Sequence, residues 1–257
     1  MDAVRLPSDW TAELILSLAA ICLVTACSNG PMTQETSPKP DPNTTMLMLT
    51  GDVMLGRGID QIMPRSVDPV LYEPYMKSAL GYVAIAEEEN GPIPKGVGPR
   101  YVWGESLEVL ERLDPPVRIV NLETAVTTAD DPWPGKGIHY RTHPANAAVL
   151  AAAGIDCAVV ANNHVIDWGR RGLVETLDTL KKSGVEPVGA GLSLRSASEP
   201  AVLETGEDRI LVFAMADESS GVPADWAARE DRSGVHLLPD LSEDSAMSVA
   251  ASIRNHA

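Results

Sequence analysis

Aromatic residues are scarce in this sequence, and acidic residues far outnumber basic ones. Only 4% of the 257 residues are aromatic, with a single phenylalanine, Phe213, so the interior has to be built mostly from aliphatic side chains. Twenty Lys and Arg residues face 36 Asp and Glu residues, which gives a formal net charge of −16. Because nucleic-acid binding relies on cations that neutralise phosphates, this balance argues against nucleic acid as a partner. The 44% of hydrophobic residues is ordinary for a folded globular chain.

Cysteine is also scarce, and the three cysteines do not form a disulfide framework. Cys22 and Cys27 lie in or directly after an N-terminal apolar run, and Cys157 lies in a second apolar stretch. If the first leaves with an export signal and the second is lipidated, Cys157 remains without an intramolecular partner. Its apolar neighbours predict a buried, unreactive thiol rather than a nucleophile.

Residues 1–27 are interpreted as a lipoprotein signal peptide. Leu14–Ala26 is an uninterrupted apolar run, too short to span a bilayer comfortably as a mature helix. The run ends in Val24–Cys27, which resembles a bacterial lipobox, and this predicts a lipid on Cys27 that holds the protein at the outer face of the cell membrane. Arg5 is the only cation ahead of the run, which is atypical of an export signal. A buried helix that begins a cytosolic domain is the alternative.

A disordered tether and one folded domain are predicted after the signal. Residues 28–44 are rich in Pro, Ser, Thr and Asn without any periodicity, as expected for a tether. Residues 45–257 carry the regular patterns of a folded domain. Within them, residues 64–100 contain many Pro and Gly residues and are interpreted as a long excursion from the fold, a candidate lid.

Strand and helix patterns alternate along the folded domain. Apolar runs of strand length occur at residues 46–50, 117–120, 157–161 and 185–188. Helices are predicted between them, at residues 107–113, 145–153 and 173–180. This alternation predicts an α/β fold with a largely parallel sheet flanked by helices. Residues 201–205 and 210–216 then predict an antiparallel hairpin, joined to or stacked on the first sheet.

Polar side chains follow three of the predicted strands. Asp52 follows the first strand, Glu123 the second, and Asn163 and His164 the third. Because parallel strands end at one edge of a sheet, these side chains are expected to converge there. Two carboxylates, an amide and an imidazole suit a divalent ion such as Mn²⁺, Zn²⁺ or Fe²⁺. Each also has a simpler interpretation: a helix or turn cap for Asp52, left-handed turn residues for Asn162 and Asn163, and an ordinary loop histidine for His164.

Four motifs taken together resemble the CapA-type poly-γ-glutamate capsule synthesis proteins. They are Gly51–Arg57, Val120–Thr124, Ala161–His164 with Asp167 and Gly169, and Val188–Gly191. That family is similar to the calcineurin-like metallophosphatases, and the resemblance implies a two-sheet sandwich flanked by helices with a metal centre at the strand ends. It implies that Asp52, Glu123, Asn163 and His164 are metal ligands, and that His164 also acts as the catalytic proton donor.

The sequence departs from the metallophosphatase pattern in two places. Met54 stands where a histidine ligand is expected, and a thioether is a poor ligand for hard divalent ions. Two later histidine-bearing segments of the family do not occur before Ala257. The resemblance therefore implies a C-terminally truncated domain with an incomplete site.

Two arginines are predicted to contact an anionic substrate. Arg57 ends the first motif, and the planar guanidinium of Arg141 suits a carboxylate or a phosphate. His139 and His143 are expected to line the loop before a helix.

Three functions follow from the resemblance. The leading one is a lipid-anchored protein that makes, exports or processes an anionic cell-surface polymer, with subunits of a membrane polymer synthase as partners. The alternatives are a metal-dependent phosphoesterase or related hydrolase, and a non-catalytic scaffold of the synthase complex. There is no P-loop, nucleophile elbow or Cys-x-x-Cys motif to support other chemistry.

Overall fold

The computed structural model describes residues 44–206 and 208–256. The predicted signal peptide, Cys27 and nearly all of the predicted tether lie outside the described residues. Within the described ranges, no helix combines the length and the apolar character needed to cross a membrane.

Ten strands and seven α-helices make up this part of the chain. The strands are β1 Leu47–Val53, β2 Val117–Leu122, β3 Ala125–Val126, β4 Arg141–Thr142, β5 Cys157–Val159, β6 Glu186–Val188, β7 Ala190–Gly191, β8 Ala201–Thr205, β9 Asp208–Val212 and β10 Gly234–Val235. The helices are α1 Arg57–Ile62, α2 Ala79–Asn90, α3 Ser106–Leu113, α4 Ala148–Ala152, α5 Gly169–Lys182, α6 Leu194–Ser198 and α7 Glu243–His256. Short 3₁₀ helices occupy Tyr101–Trp103, Pro144–Ala147, Glu218–Ser220 and Ala224–Trp226.

A four-stranded parallel sheet in the order β1-β2-β5-β6 lies at the centre of the fold. The predicted parallel sheet is confirmed, although the strand bounds differ. β1 runs on to Val53, because it pairs with β2 beyond the point where its apolar run stops. The helix predicted at residues 145–153 begins as the 3₁₀ turn Pro144–Ala147 and becomes α-helical only in α4.

The two faces of the sheet are covered differently. Helices α3, α4 and α5 pack their buried leucines against one face, where Val120 and Leu122 are fully buried. The opposite face packs Val117, Ile119 and Cys157 against the antiparallel hairpin β8–β9. The hairpin is therefore stacked on the first sheet, as one of the two predicted arrangements has it. The α/β fold class is confirmed.

A buried carboxylate anchors the first helix to the loop before α4. Asp60 of α1 is fully buried. One of its oxygens accepts hydrogen bonds of 2.8 Å each from Thr142 Oγ1, His143 N and Asn146 Nδ2. The other accepts from Val67 N at 2.8 Å and from Gln61 Nε2 at 3.1 Å. Burial raises the pKa of Asp60, and the hydrogen bonds from His143, Val67, Thr142 and Asn146 oppose that effect.

The predicted excursion at residues 64–100 contains regular structure. It includes α2, which packs along α1, and its entry is fixed by a bridge between Val70 and Ser78. Ser78 caps α2 by accepting from Leu80 N at 3.3 Å. Whether the segment acts as a lid stays a prediction.

The thiol of Cys157 should be unreactive while the protein is folded. Cys157 is fully buried in β5, and burial raises its pKa to about 12, so the reactive thiolate is absent near neutral pH. After treatment with iodoacetamide, peptide mapping should find Cys157 unmodified in native protein and alkylated in denatured protein. Comparable alkylation in both states would contradict the buried position.

Candidate functional site

A bulge at the end of β1 sets the direction of Asp52. The register of β1 on β2 shifts between Thr50 and Asp52, so that Asp52 lies opposite Asn121. Asn121 Nδ2 donates to Asp52 Oδ1 at 2.7 Å, and Glu123 N donates to Val53 O at 3.1 Å. Asp52 and Glu123 thus come together at the carboxyl edge of the sheet, as predicted from the strand ends.

The carboxyl groups of Asp52 and Glu123 lie close enough to change each other's ionisation. Burial, followed by the hydrogen bond and the charge of Asp52, raises the pKa of Glu123 to about 7. The hydrogen bond from Glu123, together with that from Asn121, lowers the pKa of Asp52. Near neutral pH Glu123 therefore holds a proton part of the time, whereas Asp52 carries a negative charge. Two carboxyls this close hold either a shared proton or a cation.

The turn after β5 presents His164 to this pair. Asn162 Nδ2 donates to Leu122 O at 3.0 Å, and Asn162 Oδ1 accepts from His164 N at 3.1 Å. Among non-glycine residues of the described chain, only Arg57 and Asp114 have positive φ. The left-handed interpretation of Asn162 and Asn163 is therefore wrong, because Asn162 shapes the turn through its side-chain hydrogen bonds instead.

The ring of His164 is held on three sides. Its Nδ1 donates to Asp167 Oδ2 at 2.7 Å, and its Nε2 lies 3.7 Å from Glu123 Oε1. The ring of Tyr140 stacks on it with centroids 4.0 Å apart and planes inclined by 24°. Because a carboxylate can only accept, Nδ1 supplies the proton of the bond to Asp167, and Nε2 faces the carboxyl pair. This pairing of histidine with a carboxylate is found both in metal sites and in catalytic dyads.

The side chains of Asp52, Glu123, Lys136, Tyr140, His164 and Asp167 are called the His164 cluster below. Arg57 lies beside this cluster and already has a carboxylate partner. Its Nη2 is 2.6 Å from Oε1 of Glu73, which is fully buried and also accepts a hydrogen bond from Tyr82 Oη. The guanidinium lies 4.7 Å from the ring centroids of both Tyr82 and Tyr140. Arg57 adopts φ 51°, a left-handed conformation that costs energy for a residue with a side chain. Its predicted role as a substrate contact stays a prediction.

Arg141 lies apart from the cluster. It is buried in β4, donates to Ala129 O at 2.5 Å, and stacks over the ring of Trp168 at 3.6 Å. These contacts hold the guanidinium of Arg141 within the fold. The predicted contact between Arg141 and a substrate stays a prediction. His143 accepts from Ala145 N at 3.1 Å and caps the 3₁₀ turn that follows it.

Asn163 is half-buried and packs against Gly221, where an added Cβ would lie 3.1 Å from Asn163 Nδ2. Its role as a metal ligand stays a prediction. Met54 Sδ accepts from Gly56 N at 3.1 Å, so the thioether is engaged within its own loop. A cleft of about 1100 Å³ lies between α5 and the β6–β7 segment, and the predicted site residues are not among those that line it.

Comparison with known proteins gives the family. The family described as "Bacterial capsule synthesis protein PGA_cap" matches residues 46–257. This chain belongs to the PGA_cap family. A probable polyglutamine synthesis accessory protein of Mycobacterium tuberculosis is 45% identical over 215 residues, which are 83% of this chain and 57% of the relative. The chain thus spans little more than half the length of that relative.

Two further relatives of this PGA_cap protein come from bacilli. The capsule biosynthesis protein CapA of Bacillus anthracis is 22% identical over 234 residues, which cover 89% of this chain and 48% of the relative. The PGA biosynthesis protein CapA of Bacillus subtilis is 36% identical over 64 residues, which cover 25% of this chain and 17% of the relative.

The metal centre implied by the metallophosphatase resemblance fits this PGA_cap chain only in part. The carboxyl pair of Asp52 and Glu123, with His164 Nε2 beside it, is a suitable donor set for one divalent ion. Within the described ranges, however, no three His, Cys, Asp or Glu side chains are arranged to hold a metal ion. Met54 also offers no oxygen or nitrogen for a second ion. The residues present therefore have the ligand chemistry for one divalent ion, without the arrangement of a formed metal site, and they do not have the ligands of a dinuclear centre.

Sequence reasoning missed three residues of this cluster. Asp167 belongs to the third motif, but the sequence analysis gives it no role. Its position three residues after His164 could have predicted a contact between the two side chains. Lys136 and Tyr140 come from the loop between β3 and β4. No local pattern predicts their contacts with His164, because the loop is brought there only by tertiary packing.

Proposed function

We propose that this protein takes part in the synthesis, export or processing of an anionic cell-surface polymer of the poly-γ-glutamate type. It would act at the outer face of the cell membrane, held there by a lipid on Cys27. Its family and the names of its relatives, a polyglutamine synthesis accessory protein and capsule biosynthesis proteins, support this function. Because the chain spans only part of those relatives, activity, substrate and synthase partners all belong to the proposal.

The charge of the cluster is the observation that carries the mechanism. The Asp52–Glu123 pair carries a negative charge that no cation balances, because the two nearby cations are already paired, Lys136 with Asp167 and Arg57 with Glu73. A polymer of carboxylates would be repelled by this edge of the sheet. A divalent cation held by Asp52 and Glu123 would remove that repulsion. The proposed site therefore takes its anionic substrate together with a cation.

The chain's own residues have defined roles in this mechanism. Asp52 and Glu123 would hold the cation, and Glu123 would have to lose its proton to bind it. A bound divalent ion would supply Lewis-acid chemistry at this edge of the sheet. His164, held by Asp167, would take a proton from an attacking water at Nε2 or give one to a leaving group.

Cation-dependent polymer binding tests the proposal. Purified protein should retain poly-γ-glutamate in a pull-down with Mn²⁺ present and lose it in EDTA, because the acidic edge then repels the polymer. The Asp52→Asn, Glu123→Gln double variant should not need the cation to the same extent, since it lacks the repelling charges. Equal retention by wild-type protein with and without Mn²⁺ would contradict the proposed role of the cation.

A metal-dependent phosphoesterase is the second candidate, and the dyad of His164 with Asp167 favours it. A histidine held through Nδ1 beside two carboxyls is suited to protonating a leaving alkoxide. Turnover of a phosphodiester with Mn²⁺, lost in His164→Ala and without any retention of poly-γ-glutamate, would favour this activity over the polymer.

Lipid attachment is expected at Cys27. When the whole chain is expressed in a bacterium with labelled fatty acid, the product should be membrane-associated and labelled, and Cys27→Ser should lose the label. Cys22→Ser is the matched control, since its cysteine lies inside the predicted signal and its label should persist. An equal label on Cys27→Ser, or a wild-type product found only in the cytosol, would contradict the anchor.

A further inference from the structure

Lys136 lies where three loops meet beneath His164. It comes from the β3–β4 loop, and its Nζ donates to the backbone carbonyl of Asn163 and to Asp167 Oδ1. The ammonium also lies 5.1 Å from the ring centroid of Trp226, in the 3₁₀ helix Ala224–Trp226. Its side chain is 21% exposed. Lys136 therefore joins the turn that carries His164 to two otherwise separate loops.

Asp167 depends on Lys136 because its carboxylate is completely buried. One oxygen accepts from His164 Nδ1 at 2.7 Å and from Tyr140 N at 2.6 Å. The other oxygen accepts from Lys136. A buried carboxylate needs a cation or several donors, and the loss of one partner leaves a charge that rearranges its surroundings. Without Lys136, Asp167 would be expected to turn or to recruit a new donor.

The orientation of Asp167 in turn decides which nitrogen of His164 carries the proton. With Asp167 in place, Nδ1 is protonated and Nε2 faces Glu123 at 3.7 Å. If Asp167 turned away, the ring would lose the bond that selects this tautomer. The carbonyl of Asn163, held by the same ammonium, fixes the backbone directly before His164.

We propose that Lys136 is a positioning residue of this site. It keeps Asp167 and the Asn163 carbonyl in place, so that the His164 ring is held with Nδ1 on Asp167 and Nε2 toward the Asp52–Glu123 pair. The inference deepens the proposed function and rests on it for one point, the transfer of a proton at His164 Nε2. Its structural part, the control of the His164 tautomer, can be measured without metal or substrate.

Nitrogen-15 NMR of the imidazoles at about pH 8 tests the inference, with His164 assigned by comparison with His164→Gln. Wild-type protein should show His164 as the Nδ1–H tautomer alone. Lys136→Met should show a mixture of tautomers, and Lys136→Arg should largely restore the wild-type signal. If Lys136→Met does not fold, Lys136→Gln replaces it in the test. Its amide can still donate a hydrogen bond, but it has no charge to balance Asp167, so a mixture of tautomers is again expected. Lys182→Met, at an exposed position on α5, is the matched control and should not differ from wild type.

Mn²⁺ affinity provides the second measurement. Lys136→Met should bind Mn²⁺ about tenfold more weakly, at the lower end of what loss of an outer-shell partner costs. An unchanged single tautomer in Lys136→Met together with wild-type Mn²⁺ affinity would overturn the inference, whatever happens to the melting temperature. If the tautomer changes as expected but wild-type protein binds neither Mn²⁺ nor polymer, the proposed function fails and the positioning role of Lys136 stands.

Discussion

The double variant Asp52→Asn, Glu123→Gln should bind Mn²⁺ at least about 100-fold more weakly than wild-type protein, beyond the usual 10–100-fold effect of outer-shell changes. Both amides keep the shape of the side chains they replace, and Asn121 can still contact position 52. What they remove is the negative charge that attracts the cation and the shared proton that it displaces. Each single amide should have a smaller effect, because one carboxylate remains.

Titration of Mn²⁺ followed by electron paramagnetic resonance measures this affinity directly. The matched control is Asp178→Asn, Glu199→Gln, which removes the same two charges at exposed positions outside the cluster. The control should bind Mn²⁺ like wild type, apart from a small change in long-range attraction. If the two double variants lose affinity equally, the effect is one of net charge and the cluster is not the binding site.

Asp60→Ala should lower the free energy of unfolding by about 3–5 kcal/mol, because several neutral donors would lose their acceptor at about 1–3 kcal/mol for each one left buried and unpaired. Five donors converge on this carboxylate, and those from Thr142, His143 and Asn146 lie in the segment that leads from β4 to α4. Alanine would leave them buried without an acceptor and would open a cavity. The effect should be structural, because Asp60 lies outside the cluster around His164.

Urea denaturation followed by circular dichroism measures this loss. Asp178→Ala is the control, since its exposed pair with Lys182 should change stability by less than about 0.5 kcal/mol. A similar small change in Asp60→Ala would mean that the donors find other partners, and the anchoring role of Asp60 would be wrong.

The parallel sheet and the convergence of Asp52, Glu123 and His164 were predictable from the sequence. Apolar runs that end in polar residues specify both the strands and the edge at which those residues meet. The end of β1 was not predictable, because residues 51–53 pair with β2 through a bulge that depends on the neighbouring strand.

The partners of the cluster could not be predicted for a related reason. Lys136 and Tyr140 lie about 25 residues before His164, in a loop without periodicity, and their contacts arise from how that loop packs against the turn after β5. The engagement of Arg57 by Glu73 was hidden in the same way, because Glu73 lies within the irregular segment at residues 64–100. Tertiary contacts of loops leave no periodic signal in a single sequence.

Anomalous diffraction at the manganese edge, from crystals grown with Mn²⁺ and a short γ-glutamyl oligomer, would locate the cation and the polymer in one experiment. We expect one anomalous peak within coordination distance of the carboxylates of Asp52 and Glu123, beside His164 Nε2, with an oligomer carboxylate on its open side. A second, equally strong peak near Met54 would contradict the single-ion site. A peak elsewhere, or an oligomer bound at the carboxyl edge with no ion between, would contradict the cation-bridged mechanism.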